Sequence, residues 1–77
     1  MKIRIYVDFN SRDEDDNIFI SLLGKPNENN DFKNRLVKGL LVVLYDEELE
    51  VEAQLGWSDE FNMWLGIPDW STRKDLE

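Results

Sequence analysis

The 77-residue sequence contains no cysteine and no histidine. Their absence excludes serine–histidine and cysteine–histidine nucleophiles, imidazole acid–base catalysis and the usual zinc and iron sites. The 17 acidic residues allow many carboxylate pairs, so no single pair identifies an active site. The stretch Glu50-Val51-Glu52 also lacks the lysine of the metal-dependent nuclease pattern. We therefore expect a protein that is not an enzyme and holds no cofactor or metal, with a carboxylate enzyme as the least favoured alternative.

Long hydrophobic runs are also missing. No stretch approaches the roughly 18 consecutive apolar residues of a membrane helix, and the first residues lack the charged-then-apolar order of a signal peptide. A small secreted domain would normally contain disulfides, which a chain without cysteine cannot form. These absences predict a single small domain over residues 1–77 in the cytoplasm.

Basic residues are scarce, with nine lysines and arginines against 17 acidic residues and a net charge of −8. Proteins that bind nucleic acid or anionic membranes present a positive surface, so we expect neither direct nucleic-acid binding nor membrane binding. In the simplest interpretation, the charge keeps the protein soluble. The functional alternative is that the acidic surface meets a basic partner.

The most regular pattern lies between Gly39 and Ile67. Apolar residues occupy every odd position of Leu49–Trp57 and of Phe61–Ile67. Side chains alternate between the two faces of a strand, so this period of two predicts strands with one dry face. A short turn at Ser58–Glu60 would bring the two dry faces together. The predicted pairs are Trp57 with Phe61, Leu55 with Met63, Ala53 with Leu65, and Val51 with Ile67.

The stretch Leu40–Tyr45 is apolar at every position, which is typical of a central or barrel strand. A turn centred on Glu47 and Glu48 pairs Leu44 with Val51, Val42 with Ala53, and Leu40 with Leu55. A turn of three residues instead pairs Val43 with Val51 and Leu41 with Ala53. Both registers bury apolar faces, so both stay open. The turn lacks an Asn-Gly or Asp-Gly pair, which favours a longer or bulged turn.

Two more strands are predicted at the N-terminus. The first is Lys2–Phe9, with Ile3, Ile5, Val7 and Phe9 on one face, and the second is Asn17–Leu23. We expect them to form a hairpin with an over-long acidic tip at Asn10–Asn17. Lys2 and Arg4 are interpreted as charge partners for Glu50 or Glu52.

Within this tip, Asp13, Asp15 and Asn17 have the one-three-five spacing of a calcium loop. The sixth position is Ile18, where glycine is required, and the twelfth is Gly24, where glutamate is required. A solvated acidic tip is therefore the favoured interpretation.

The remaining segments are less regular. Gly24–Asp31 is a loop by composition. Asp31–Lys38 is interpreted as a turn or short helix closed by Gly39, or alternatively as the start of the long strand. Pro68 is expected to end the last strand, and Ser71 or Thr72 to cap a final helical turn through Leu76. Trp70 is expected to fold back over an open end of the core.

These elements predict a mainly β domain, possibly α+β, with about five strands and one short helix or helical turn. Its sheet is a small antiparallel sheet or a partly open, SH3-like barrel. Leu44-Tyr45-Asp46 and Gly66-Ile67-Pro68 resemble strings at the start and end of SH3 domains, but their order and spacing differ, and we assign no family. The predicted core is Ile3, Ile5, Val7, Ile18, Ile20, Leu40, Val42, Leu44, Val51, Ala53, Leu55, Met63, Leu65 and Ile67.

The candidate binding residues form an acidic ridge beside two tryptophans. Trp64 is expected on the polar side of its strand, near Gln54. There it is either an exposed interface anchor or packed under Asp31–Lys38 or under Trp70. An acidic rim around tryptophan anchors is typical of a surface that captures a basic protein. The candidate residues are Asp46, Glu47, Glu48, Glu50, Glu52, Asp59, Glu60, Trp64 and Trp70.

We therefore hypothesise a small acidic protein-binding module, such as an inhibitor, antitoxin, immunity protein or nucleic-acid mimic, that covers a basic protein surface. The alternative is a structural or regulatory subunit that forms a homo-oligomer through its sheet edge or a tryptophan patch.

Overall fold

The computed structural model describes residues 3–21 and 35–76. Its five strands are β1 (Ile3–Tyr6), β2 (Ile18–Phe19), β3 (Leu41–Tyr45), β4 (Leu49–Ser58) and β5 (Met63–Asp75). They form one curled, half-barrel sheet in the order β1-β3-β4-β5-β2. The part of the chain described contains no helix. The prediction of a mainly β, partly open barrel of about five strands is confirmed.

Strand β3 lies inside the sheet between β1 and β4, as its two apolar faces predicted. Leu44 pairs with Val51, so the turn centred on Glu47 and Glu48 is correct and the Val43–Val51 register is wrong. The prediction of a longer or bulged turn is also wrong. The Asp46 carboxylate accepts hydrogen bonds from the backbone N–H groups of Glu48 at 2.7 Å and Leu49 at 3.0 Å, and these bonds hold a tight turn without glycine.

The predicted register between β4 and β5 is wrong by three residues. Leu55 pairs with Gly66 rather than with Met63. Ser58 pairs with Met63, so the loop between the strands is Asp59–Asn62 and is longer than the predicted turn at Ser58–Glu60. Within this loop, Asn62 takes a positive φ of 54°. An odd shift also moves Met63, Leu65 and Ile67 to the face opposite the core residues of β4.

Packing across three strands explains this register. A Cβ on Gly66 would collide with the side chain of Leu44, which is fully buried. Leu44 thus fills the space that the absent side chain of Gly66 leaves opposite Leu55. Ile67 is displaced from the core and is 47% exposed, contrary to prediction.

The first two strands do not form the predicted hairpin. Strand β1 pairs in parallel with β3, with Ile5 beside Leu44. Strand β2 pairs with β5 at the opposite edge, with Ile18 beside Gly66. In this arrangement β1 lies against the most apolar strand of the chain, which a hairpin with β2 would not achieve. The prediction was wrong because a parallel partner is distant in sequence and carries no turn signal.

Strand β5 continues through Pro68 to Asp75, so the predicted end at Pro68 is wrong. The Leu55 N–H donates to the Leu40 carbonyl at 2.9 Å, and the Leu55 carbonyl accepts from the Gly39 N–H at 2.8 Å. Both groups of Leu55 therefore point toward the β3 side. Ala53, two residues earlier on the strand, has the same orientation. Its partner Pro68 is therefore not required to donate to β4, and proline is tolerated there.

The predicted helical turn from Ser71 or Thr72 is also wrong, because these residues lie within β5. They belong to an irregularity, where the pairing shifts between Glu50 and Glu52 of β4. Thr72 Oγ1 accepts a 2.8 Å hydrogen bond from the Glu52 N–H and donates a 2.7 Å bond to the Asp69 carbonyl. The hydroxyl thus replaces the backbone carbonyl that would otherwise accept from the Glu52 N–H in a regular sheet.

Most of the predicted core is buried. Ile3, Leu40 and Met63 are only partly buried, whereas Phe9 and Leu36 are buried but were not in the predicted core. Residues buried as predicted are Ile5, Val7, Ile18, Ile20, Val42, Leu44, Val51, Ala53, Leu55 and Leu65.

Two predicted segments are seen only in part or not at all. The loop Gly24–Asp31 and residues 31–34 lie outside the described residues. After them, a turn joins the Leu40 N–H to the Val37 carbonyl at 3.2 Å, and Gly39 has a φ of 85°. Residues 3–21 and 35–76 contain no helix with the length and apolar character of a membrane span.

Candidate partner-binding face

The outer face is the side of the sheet that points away from the core. Leu41, Gln54 and Ile67 form one row across β3, β4 and β5 on this side. Leu65 and Phe19 form the next row, on β5 and β2. Because neighbouring strands show paired residues on the same side, these rows adjoin each other.

We call five residues of this face the apolar stripe: the exposed Leu41, Ile67 and Phe61, the half-buried Phe19, and Leu65, which is buried beside Phe19. Leu41 is 49%, Ile67 47% and Phe61 55% exposed. The ring of Phe61 lies edge-on to Phe19, with 5.1 Å between ring centroids. A band of this kind is uncommon as a solvated surface and is typical of interaction sites.

One end of the stripe opens into a depression of about 380 Å³, whose lining includes Leu41, Ile67, Glu52 and Asp69. Glu52 and Asp69 are direct partners across β4 and β5. Two carboxylates therefore flank exposed apolar side chains at this end.

The other end opens into a depression of about 330 Å³, whose lining includes Phe19, Phe61, Asp15 and Glu60. One cation, Arg12, also lines it and lies 3.9 Å from the carboxylate of Asp16. Asp13 also contributes to the lining, but its carboxylate is occupied by its own loop. Partial burial acts to raise the pKa of Asp13, but hydrogen bonds from Asn17 and Asp15 outweigh it and lower the pKa below its usual value. The described residues contain no cluster of three or more acidic side chains arranged to hold a metal ion.

Two carboxylates of the predicted acidic ridge, Glu47 and Glu50, make contacts with other side chains of the protein. Glu50 forms a 3.0 Å ion pair with Arg4, as predicted, and the Arg4 guanidinium lies 4.8 Å from the ring centroid of Tyr45. The Tyr6 hydroxyl donates to the Glu47 carboxylate. This bond, with burial and nearby carboxylates, raises the pKa of Tyr6 to about 12.

The two tryptophans do not form one patch on the outer face. Trp64 pairs with Trp57 rather than lying near Gln54, which corrects the predicted position. It packs against the core, and its ring lies 5.1 Å from Trp57 in an edge-to-face arrangement. Trp70 is 39% exposed and lies 6.1 Å from the ring of Phe9, which agrees with the predicted cover over the core.

The nine predicted site residues are thus divided among several places. Asp46, Glu47 and Glu48 lie in or beside the β3–β4 turn, and Asp59 and Glu60 lie in the β4–β5 turn. Only Glu50 and Glu52 lie on the outer face within a strand, as the alternation predicted.

The residues that complete the face were missed by sequence reasoning. The positions of Asp69 and Ile67 depend on the β4–β5 register, and that of Phe19 depends on the pairing of β2 with β5. A pairing that placed Gly66 opposite Leu55 would have identified Asp69 and Ile67 as outward-facing. The missed residues are Asp69, Leu41, Ile67, Phe19 and Phe61.

In comparisons with known proteins, the chain matches no protein-family model, no curated protein and no solved structure.

Proposed function

We propose that this protein is a small, non-enzymatic binding module whose outer face covers a basic surface of a partner protein. An inhibitor, antitoxin, immunity protein or nucleic-acid mimic would work in this way. The observation that carries the proposal is the apolar stripe, which has carboxylates at both ends.

The apolar side chains supply a source of affinity. Leu41, Ile67 and Phe61 each expose roughly half of their surface. Removing apolar surface from water contributes about 25 cal/mol for each Å² buried, and aromatic side chains are frequent anchors at the centre of an interface. Contact with a partner would therefore be driven mainly by these three residues.

The carboxylates determine which partner is favoured. Glu52 and Asp69 at one end, and Glu60 at the other, would accept hydrogen bonds from lysine or arginine side chains. The net charge of −8 would speed the approach of a basic protein and disfavour nucleic acid and anionic membranes. We place this interaction in the cytoplasm, in keeping with a sequence without cysteine.

Self-association is the second candidate, because the apolar stripe could also bury itself against another copy. Two observations weigh against it. Trp64 packs against the core, so Trp64 and Trp70 do not form the hypothesised tryptophan patch. Strand β2 pairs with β5 only at Leu65 and Gly66, so β5 is an edge of the described sheet beyond these residues. Pro68 lies there and has no N–H to donate, which discourages strand addition.

An affinity pull-down tests the proposal. Tagged wild-type protein is incubated with native lysate, eluted with a salt gradient, and compared with a Leu41→Ser/Ile67→Ser variant. We expect a basic protein that is released at moderate salt and is lost from the variant. Recovery of the bait only with itself would instead support self-association and reject the proposal.

A further inference from the structure

We infer that the outer face binds a short, extended segment of the partner that carries an arginine at each end and apolar side chains between them. This inference rests on the proposed function and specifies the chemistry of its partner. It follows from the order of charged and apolar side chains along β5.

The two acidic ends of the stripe are separated by a distance that an extended segment can span. Asp69 and Met63 are six residues apart on β5, which corresponds to about 20 Å at roughly 3.3 Å per residue. Glu60 and Phe61 lie in the turn just before Met63. A segment of about seven extended residues covers this length, whereas a helix of about seven residues spans only about 10 Å.

Side-chain alternation adds a second match. Counting back along β5 from Asp69, Ile67 and Leu65 are the next residues on the outward side. Phe61, whose ring lies against Phe19, completes the stripe. An extended segment shows every second side chain to one side. Its first and seventh residues would then face carboxylates, its third would face Ile67, and its fifth would face the Phe61 and Phe19 rings beside the buried Leu65.

Arginine fits the two ends better than lysine. Its planar guanidinium donates to carboxylates in pairs and stacks on aromatic rings. At one end, Glu52 and Asp69 provide two carboxylates on paired positions. At the other, Phe61 is 55% exposed and lines the same depression as Glu60, so one guanidinium can contact both a ring and a carboxylate.

A second copy of the chain fits this face less well. Each copy has a net charge of −8 and would bring the same carboxylates against those of its partner. Like charges brought together at an interface oppose association. Charge complementarity therefore favours a basic segment.

The test is a titration of ¹⁵N-labelled protein with a synthetic peptide, followed by amide chemical shifts. The peptide is arginine-threonine-valine-threonine-valine-threonine-arginine, capped at both ends, and its matched control has citrulline, a neutral isostere, in place of both arginines. We expect saturable shifts at Ile67 and Phe61, and at least tenfold weaker binding of the citrulline peptide. Glu52→Gln and Glu60→Gln should each weaken binding, whereas Glu48→Gln at the turn tip should leave it unchanged.

Equal binding of the two peptides, or no saturable shift with either, would overturn the inference. Shifts at Leu41 and Ile67 that depend on protein concentration without peptide would also overturn it, since the occupant would then be a second copy. If the peptides fail while Leu41→Ser/Ile67→Ser still loses a basic lysate partner, only this inference fails. If that variant keeps every partner, the proposed function fails as well.

Discussion

Glu52 lies directly opposite Asp69 on β4 and β5, so two carboxylates occupy paired positions on the outer face. Like charges directly opposite each other reduce the stability of a sheet. The pair also marks one end of the apolar stripe, where a cation from a partner would contact both carboxylates. Stability and binding should therefore respond in opposite directions when this charge is removed.

Asp69→Asn removes one charge while keeping the side-chain oxygen that accepts from Ser71. We expect the free energy of unfolding to stay unchanged or to rise by up to about 0.5 kcal/mol at low salt. Urea unfolding at low and high salt measures this, and any gain should shrink at high salt. A loss above roughly 1 kcal/mol at low salt would mean that the carboxylate supports the fold.

Gly66→Ala should destabilise the protein. The added Cβ would collide with Leu44, which is fully buried, and overpacking of this kind costs about 1–3 kcal/mol. Gly56→Ala is the matched control, because its Cβ meets only the Ile67 side chain, at 3.4 Å. Thermal unfolding of both variants checks the prediction. Equal effects would show that the β4–β5 register is not as described.

Thr72→Val should also reduce stability. It keeps the shape of the side chain but removes the hydroxyl that serves Glu52 N–H and the Asp69 carbonyl. Leaving the partly buried Glu52 N–H without a partner costs about 1–3 kcal/mol. Thr72→Ser retains the hydroxyl and should lose much less. The prediction fails if valine and serine variants unfold at the same urea concentration.

The raised pKa of Tyr6, about 12 against an ordinary 10.0, makes stability depend on pH in the alkaline range. The protonated phenol is favoured in the folded protein, mainly because it donates to Glu47. This stabilisation is fully present below pH 10 and is lost as the pH rises through about 12.

Absorbance titration of tyrosinate measures this effect directly. Tyr6→Phe should remove the component that titrates near pH 12, and Glu47→Gln should move that component to lower pH. If neither the wild-type protein nor Tyr6→Phe shows a tyrosinate component that titrates near pH 12, the hydrogen bond to Glu47 does not persist in solution.

Sequence reasoning succeeded where the pattern is local. Alternation identified the core side of β4, and the observed pairing of Leu44 with Val51 was one of the two registers that the pattern left open. The outward position of Glu50 and Glu52, and the ion pair of Arg4 with Glu50, followed from the same pattern.

It failed where the outcome depends on three strands at once. The position of Gly66 is decided by how Leu44 packs between β3 and β5, which a pairwise comparison of β4 and β5 does not contain. The parallel partner of β1 carries no turn signal, and the tolerance of Pro68 depends on the direction of backbone groups. Because the β4–β5 register was wrong, Asp69 and Ile67 were not recognised as part of the face.

The most direct measurement of the central claim compares two variants of equal net charge in the same pull-down. Glu52→Gln/Asp69→Asn removes two charges from the outer face, and Glu47→Gln/Glu48→Gln removes two from the β3–β4 turn. We predict that the basic partner elutes at clearly lower salt from the first variant, and at the wild-type position from the second. Equal elution from both would contradict the claim, because the acidic residues would then act only through overall charge.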